Sequence, residues 1–137
     1  MNFIKNNGGR ENYFPVNLKK DKTNDCVIRS ISIATDMDYI EVRDDLFDLA
    51  KEQGRMPNDK KVYESYLASI GWIKCSPIYN ENGRKYRLKD IPKSSIPSRV
   101  IFHTRNHVCA VVDKNLNDKW DCRNWCANSY YIKQGSK

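Results

Sequence analysis

From residue 23 to residue 71 apolar positions recur every three or four residues, and after Gly71 they gather into short runs separated by turn residues. The first stretch, "TNDCVIRSISIAT" (23–35), offers Thr23, Asn24 and Asp25 as N-caps. Val27, Ile28, Ile31, Ile33 and Ala34 then make an almost wholly apolar segment, the pattern of a helix in the middle of a core. "DMDYIEVRDDLFDLAKEQG" restarts with Asp38 and Glu41 in capping-box spacing, is acidic on its outer face and stops at Gly54. A third helix is predicted from Asn58, with Val62, Tyr63, Tyr66, Leu67 and Ile70 on one face and Gly71 as its stop.

Beyond Gly71 the β-branched or aromatic runs "WIKCSPIY", "KYRLKDI", "RVIFHT", "HVCAVVD", "KWDC" and "SYYIK" alternate with turn signals such as "NENG", Pro92, Pro97 and "KNLN". They predict an antiparallel sheet. Helices first and strands afterwards describe an α+β layer with the first helix packed on the sheet. Residues 1–22 read as an extended or partly mobile lead-in that wraps the domain through Tyr13, Phe14, Val16 and Leu18, and 23–137 as the domain itself.

A chain of 137 residues holds one core. No run is apolar enough to span a bilayer, so a cytoplasmic protein without a membrane partner is expected. Five cysteines, an odd number without an export signal, read as mostly free thiols. The net charge of +7 is unevenly spread: residues 36–52 carry seven acids against Arg43 and Lys51, so the remainder is strongly basic and suits an anionic partner.

Cys26 falls at the predicted helix start, where the positive end of the dipole favours a thiolate. A thiolate nucleophile needs a base, and the chain has only His103 and His107. His107 opens "HVCAVVD" at the sheet edge facing the helix start and is the stronger candidate. Its other nitrogen needs an orienting group. A hairpin turning near Lys114 or Asn115 puts Asp121 on the face of His107, with Asp118 and Asn124 pointing away; a slip or bulge of one residue reverses that choice.

The stretches "NDCVIRSISIATDMDYIEV" (24–42), "VYESYLASIGW" (62–72), "RNHVCAVVD" (105–113) and "NDKWDC" (117–122) resemble the papain-like cysteine peptidase superfamily, and within it the small bacterial and phage proteins related to bacteriocin-leader peptidases. The resemblance implies Cys26 as nucleophile, His107 as base, Asp121 as orienting acid and acyl chemistry at an amide. It also implies a phage or mobile-element protein acting in the host cytoplasm on a protein or peptide. The family carries proline after the orienting acid, where this chain has Cys122, and a glutamine before the cysteine, where this chain has none. Asn24 is the residue placed to supply the missing oxyanion donor.

"CRNWC" spaces Cys122 and Cys126 as a zinc pair, with Cys75, Cys109 or a histidine as further ligands, but a second close pair is absent and no metal or cofactor is expected. Trp72, Trp120 and Trp125 are candidates for a groove, with core packing the commoner fate. "GRKYRLK" (83–89) suits a nucleic-acid surface or a guarded edge strand equally. Two functions follow: a cysteine hydrolase acting on a peptide, isopeptide or side-chain amide, or a non-catalytic basic protein that binds or inhibits a host macromolecule.

Overall fold

The computed structural model describes residues 1–14 and 24–136, which form an α+β fold. Its elements in chain order are β1 (Phe3–Lys5), α1 (Cys26–Thr35), α2 (Tyr39–Gln53), α3 (Lys60–Ser69), β2 (Trp72–Cys75), β3 (Arg99–His103), β4 (Val108–Val112), β5 (Asn115–Asp118) and β6 (Tyr130–Lys133). The strands make a six-stranded sheet in the order β1-β5-β4-β3-β6-β2.

All three predicted helices are present, within one or two residues of their sequence limits. α2 runs from Asp38 to a left-handed Gly54, and the Asp59 side chain caps α3 by accepting from the Lys61 N–H at 2.9 Å. α1 is buried nearly all round. Arg29, Ser30 and Ser32 are enclosed with Val27, Ile28, Ile31 and Ala34, because α1 lies between the sheet and α2. The sheet separates two cores. Ile31, Val42, Leu46, Val62, Leu67, Ile101, Ala110 and Tyr131 fill the helical side, while Leu88, Ile91, Ile96, Val100, Phe102, Val111, Leu116 and Cys122 fill the other.

Three expectations are corrected. The sheet is mixed, and helices do not come first: β1, inside the presumed lead-in, pairs in parallel with β5 at the sheet edge. Phe3 packs against the second core, and Leu116 N–H and Asn6 N–H bond across to Asn2 and Asp118 carbonyls at 2.8 Å each. Of the other lead-in residues, Phe14 packs against the helical core and Tyr13 is exposed, its hydroxyl donating to Asp38 at 2.6 Å; Val16 and Leu18 lie outside the described residues.

"KYRLKDI" is not a continuous strand: Lys85 and Arg87 make isolated antiparallel bridges to Tyr79 and Cys126, and Leu88–Asp90 is a 3-10 turn that inserts Leu88 and Ile91 as a plug over the second face. The turn's backbone bonds to the neighbouring 123–126 loop, Leu88 N–H to Trp125 O at 2.9 Å and Lys89 N–H to Arg123 O at 3.0 Å.

"KWDC" is not a strand either. The β4–β5 hairpin turns on Asp113 and Lys114, both at positive φ (50° and 67°), a two-residue loop whose twist matches that of the strands. Strand β5 therefore begins at Asn115, and "KNLN", read as a turn, supplies its first residues.

Candidate functional site

Cys26 is the first residue of α1, half-buried, with Asp25 at the N-cap. The first intrahelical bond, Arg29 N–H to Asp25 O, is 2.9 Å long, so the backbone N–H groups of Cys26 and its successors in the first turn have no acceptor within the helix. α1 is stapled to the sheet at this end. Ser30 Oγ lies 2.6 Å from the Cys26 carbonyl and 2.7 Å from that of Val108, and a hydroxyl shared between the two fixes Cys26 against the start of β4.

His107 immediately precedes β4, 7% exposed, and it and the Cys26 thiol are each among the groups that shift the other's pKa. Its Nε2 is 2.5 Å from Asp118 Oδ2. With Nε2 engaged by the carboxylate, Nδ1 is the nitrogen available to the thiol.

Asp118, not Asp121, holds the histidine. The register pairs Val112 with Asn115 and Ala110 with Asn117, so the two positions of every pair sum to 227. Asp118 is thereby matched with position 109, two residues along from His107 on the same face, while Asp121 has the opposite parity. Asp121 is exposed and makes a two-pronged ion pair with Arg123, at 2.9 and 2.8 Å. The expectation failed by one residue of register, and the two-residue turn is the cause.

Asp118 is in turn buried among donors. The Lys119 N–H reaches its Oδ1 at 2.7 Å, Arg29 Nη2 lies 3.4 Å from the same oxygen, and Cys122 Sγ is 3.8 Å from Oδ2. The Arg29 guanidinium, 4% exposed, also pairs with Asp25 one turn earlier on α1. Tyr39 donates to Asp25 Oδ2 at 2.7 Å, and Arg10 bonds both Asp25 and the Tyr39 hydroxyl. Asp25 thus spends its carboxylate on Arg29, Tyr39 and Arg10 and makes no side-chain cap bond to the helix. A continuous buried network runs from His107 through Asp118 and Arg29 to Asp25 and Tyr39.

These contacts set the charges. Burial raises the Cys26 pKa, but hydrogen bonding to His107, the Val108 N–H and the positive charges of His107 and Arg29 outweigh it and hold the thiol below its ordinary value. Burial opposes the imidazolium as well, yet hydrogen bonds with Asp118, Cys122 and Cys26 and the Asp118 charge push the His107 pKa up to about 11. Both shifts favour a thiolate beside an imidazolium.

Trp120 and Trp125 wall the site. Their rings lie 4.6 and 6.4 Å from the His107 ring and 5.1 Å from each other, and both remain more than a third exposed. Trp72 is buried in the helical core. Asn24 is exposed at φ 50°, two residues ahead of Cys26, and Asp25 rather than Asn24 is the N-cap. His103 ends β3, half-buried and apart from Asp118.

Among the described residues Cys126 joins no cluster of metal-ligating side chains; it is exposed, whereas Cys122 is buried. His107, Asp118 and Cys122 do bring a nitrogen, an oxygen and a sulfur within 4.8 Å of one another. In this arrangement Nε2 and Oδ2 bond each other and Arg29 takes the remaining carboxylate oxygen, which is the pattern of an ion pair. A hydrogen bond from Cys109 lowers the Cys122 pKa to about 7 against its burial, with His107 adding to the effect.

From sequence Asp118 stood behind Asp121 as an alternative, Asp25 was one of three N-cap candidates, and Arg29 was not singled out. The available signal was the alternation Val111, Leu116 on one face, which only the Asp113–Lys114 turn makes consistent. Compared with protein-family models, curated proteins and solved structures, the chain matches none.

Proposed function

We propose that this protein is a papain-like cysteine hydrolase that cleaves a peptide, isopeptide or side-chain amide bond, with Cys26 as nucleophile, His107 as general base and acid, and Asp118 in the orienting role. The observation that carries the reading is the placement of the Cys26 thiol at the first turn of α1, facing a His107 ring whose far nitrogen is bonded to Asp118.

Cys26 Sγ attacks the carbonyl carbon and its oxygen becomes an oxyanion, which the first-turn N–H groups of α1 are placed to receive, with Asn24 as a side-chain donor. The His107 imidazolium gives its proton to the leaving amine, and the thioester that remains is opened by water as His107 takes a proton back. Asp118 keeps Nδ1 aimed at the sulfur, and Arg29 keeps Asp118 from rotating. Trp120 and Trp125 shield the imidazolium from bulk water. The sequence resemblance adds a setting, a phage-borne enzyme acting on a host protein.

Alkylation tests it. Iodoacetamide at pH 6.5 labels Cys26 ahead of the other four thiols, as read by peptide mass spectrometry, and His107→Ala slows that labelling at least about tenfold. A Cys26 that stays inert until the protein is unfolded overturns the assignment and leaves the non-catalytic binding protein.

A further inference from the structure

On the helical face of the sheet, at the His103 end of β3, is a cavity of about 570 Å³ whose lining includes Lys60, Lys74, Lys85, His103, Cys75 and Asn128. Its position follows from the ladder. His103 is paired with Val108, whose carbonyl shares the Ser30 hydroxyl with the carbonyl of Cys26, and both residues have the parity of Ile101 and Ala110, which point into the helical core. The cavity is joined to the helical core by a chain of contacts. The Tyr63 and Tyr131 rings meet edge to face with centroids 6.1 Å apart, Tyr131 donates to Glu64, and Glu64 pairs with Lys74 at 3.1 Å.

The charges here are unbalanced. Lys60 and Lys74 line the cavity together, and after burial the Lys74 charge lowers the Lys60 pKa while Glu64, the ion-pair partner of Lys74, opposes it. Lys85 closes the far side, its ammonium held by Asn128 Oδ1 at 2.9 Å. Burial and the three lysines together depress the His103 pKa. Repelling ammonium groups converging on an open cavity from α3, β2 and the loop before β3 are a site for an anion.

We propose that this cavity is a substrate subsite that receives an anionic group, a side-chain carboxylate or a phosphate, carried on the chain within a few residues of the bond presented to Cys26. The proposal rests on the hydrolase reading for the word substrate, and on the lysine cavity alone for the anion. The acidic stretch 36–52 of the protein itself lies on and around α2, so the basic cavity is the part of the helical face that attracts an acidic peptide.

Two experiments separate the two readings. In the first, peptidyl chloromethyl ketones carrying Asp or Asn at the first, second or third position from the reactive carbon compete for Cys26 in the wild-type protein. At one of these positions the Asp reagent labels about five to ten times faster than its Asn twin. Lys60→Gln combined with Lys85→Gln brings that ratio below about two, and 0.5 M salt lowers it in the wild type. Equal rates at all three positions overturn the subsite.

In the second, the Cys26→Ala protein, which lacks the thiol assigned as nucleophile, is titrated with inorganic phosphate and, separately, with acetate while the His103 ring is followed by NMR. Saturable movement of the His103 signals, with a rise in its pKa, supports the anion site, and the stronger of the two ligands identifies its chemistry. No movement with either overturns it. Iodoacetamide inertness of Cys26 with a responding His103 sinks the hydrolase and keeps the anion site; the reverse outcome does the opposite.

Discussion

Asp118 Oδ2 lies 2.5 Å from His107 Nε2, with the aspartate 2% and the histidine 7% exposed, so a carboxylate and an imidazole share one desolvated hydrogen bond beneath the thiol. A bond of this kind is charge-assisted and fixes the ring as well as its protonation.

Asp118→Asn removes the charge and leaves the shape. The imidazolium then loses its strongest support, its pKa falls, and the thiolate fraction at pH 6.5 falls with it. Alkylation of Cys26 at that pH is expected to slow about tenfold or more, since each pKa unit is a factor of ten in population. Asp121→Asn, which breaks only the exposed pair with Arg123, is expected to stay within about twofold of wild type. Equal slowing by both substitutions counts against the Asp118 assignment.

Arg29 is the counter-ion of two buried carboxylates, Asp25 and Asp118. Arg29→Met leaves both without it, and breaking such an arrangement from one side costs about 3–5 kcal/mol. Urea denaturation is expected to show that loss. The double variant Arg29→Met with Asp118→Asn recovers part of it, because one of the stranded charges is gone.

How much of this was legible beforehand depends on which signal specified each part. Helices α1 to α3 were readable because caps, apolar spacing and glycine stops agree, as at Asp38 and Gly54. Cys26 and His107 could be singled out because a helix start and a strand start each mark one position. Asp118 could not, because it depends on the parity of a hairpin whose turn is Asp-Lys, a pair without the usual glycine or asparagine signature of positive φ. β5 has only one strongly apolar residue, Leu116, so its run reads as loop. β1 was hidden for a different reason: "FIK" is three residues long and finds its partner more than a hundred positions away.

The amino-terminal segment contributes a testable contact of its own. Gly8, at φ 71°, sits against the α1 backbone, and a Cβ there would lie 3.1 Å from both Cα and O of Arg29, on the helix that carries Cys26. Gly83 has a similar φ of 74° but open space around it. The strain of positive φ costs a non-glycine residue about 1–2 kcal/mol at either site. Gly8→Ala is expected to lower Tm more than Gly83→Ala by the added clash with backbone, which cannot move aside as a side chain can. Thermal denaturation of the two variants in parallel measures the difference, and equal shifts would mean the segment does not rest on α1.

The thiol and the imidazole titrate in opposite senses, and the sign of each predicts a pH window. The His107 pKa is raised from 6.5 to about 11, so its contribution to stability is complete below pH 6.5 and is lost as pH climbs towards 11. The Cys26 pKa is lowered, so its contribution is complete above its unfolded value of 9.0 and is lost as pH drops through the folded one. The stability difference between wild type and His107→Ala, taken from urea midpoints, is therefore expected to be greatest near pH 6.5 and to shrink steadily by pH 10. Over the same range the Cys26 alkylation rate in the wild type is expected to pass its midpoint below the pH at which a free thiol does, about 8.5, and so to reach its plateau earlier. In His107→Ala that plateau moves upward, because burial then acts on the sulfur without the imidazolium to offset it. A wild-type profile that follows a free thiol, together with a stability difference flat across pH, would mean that the two side chains are neighbours without being an ion pair.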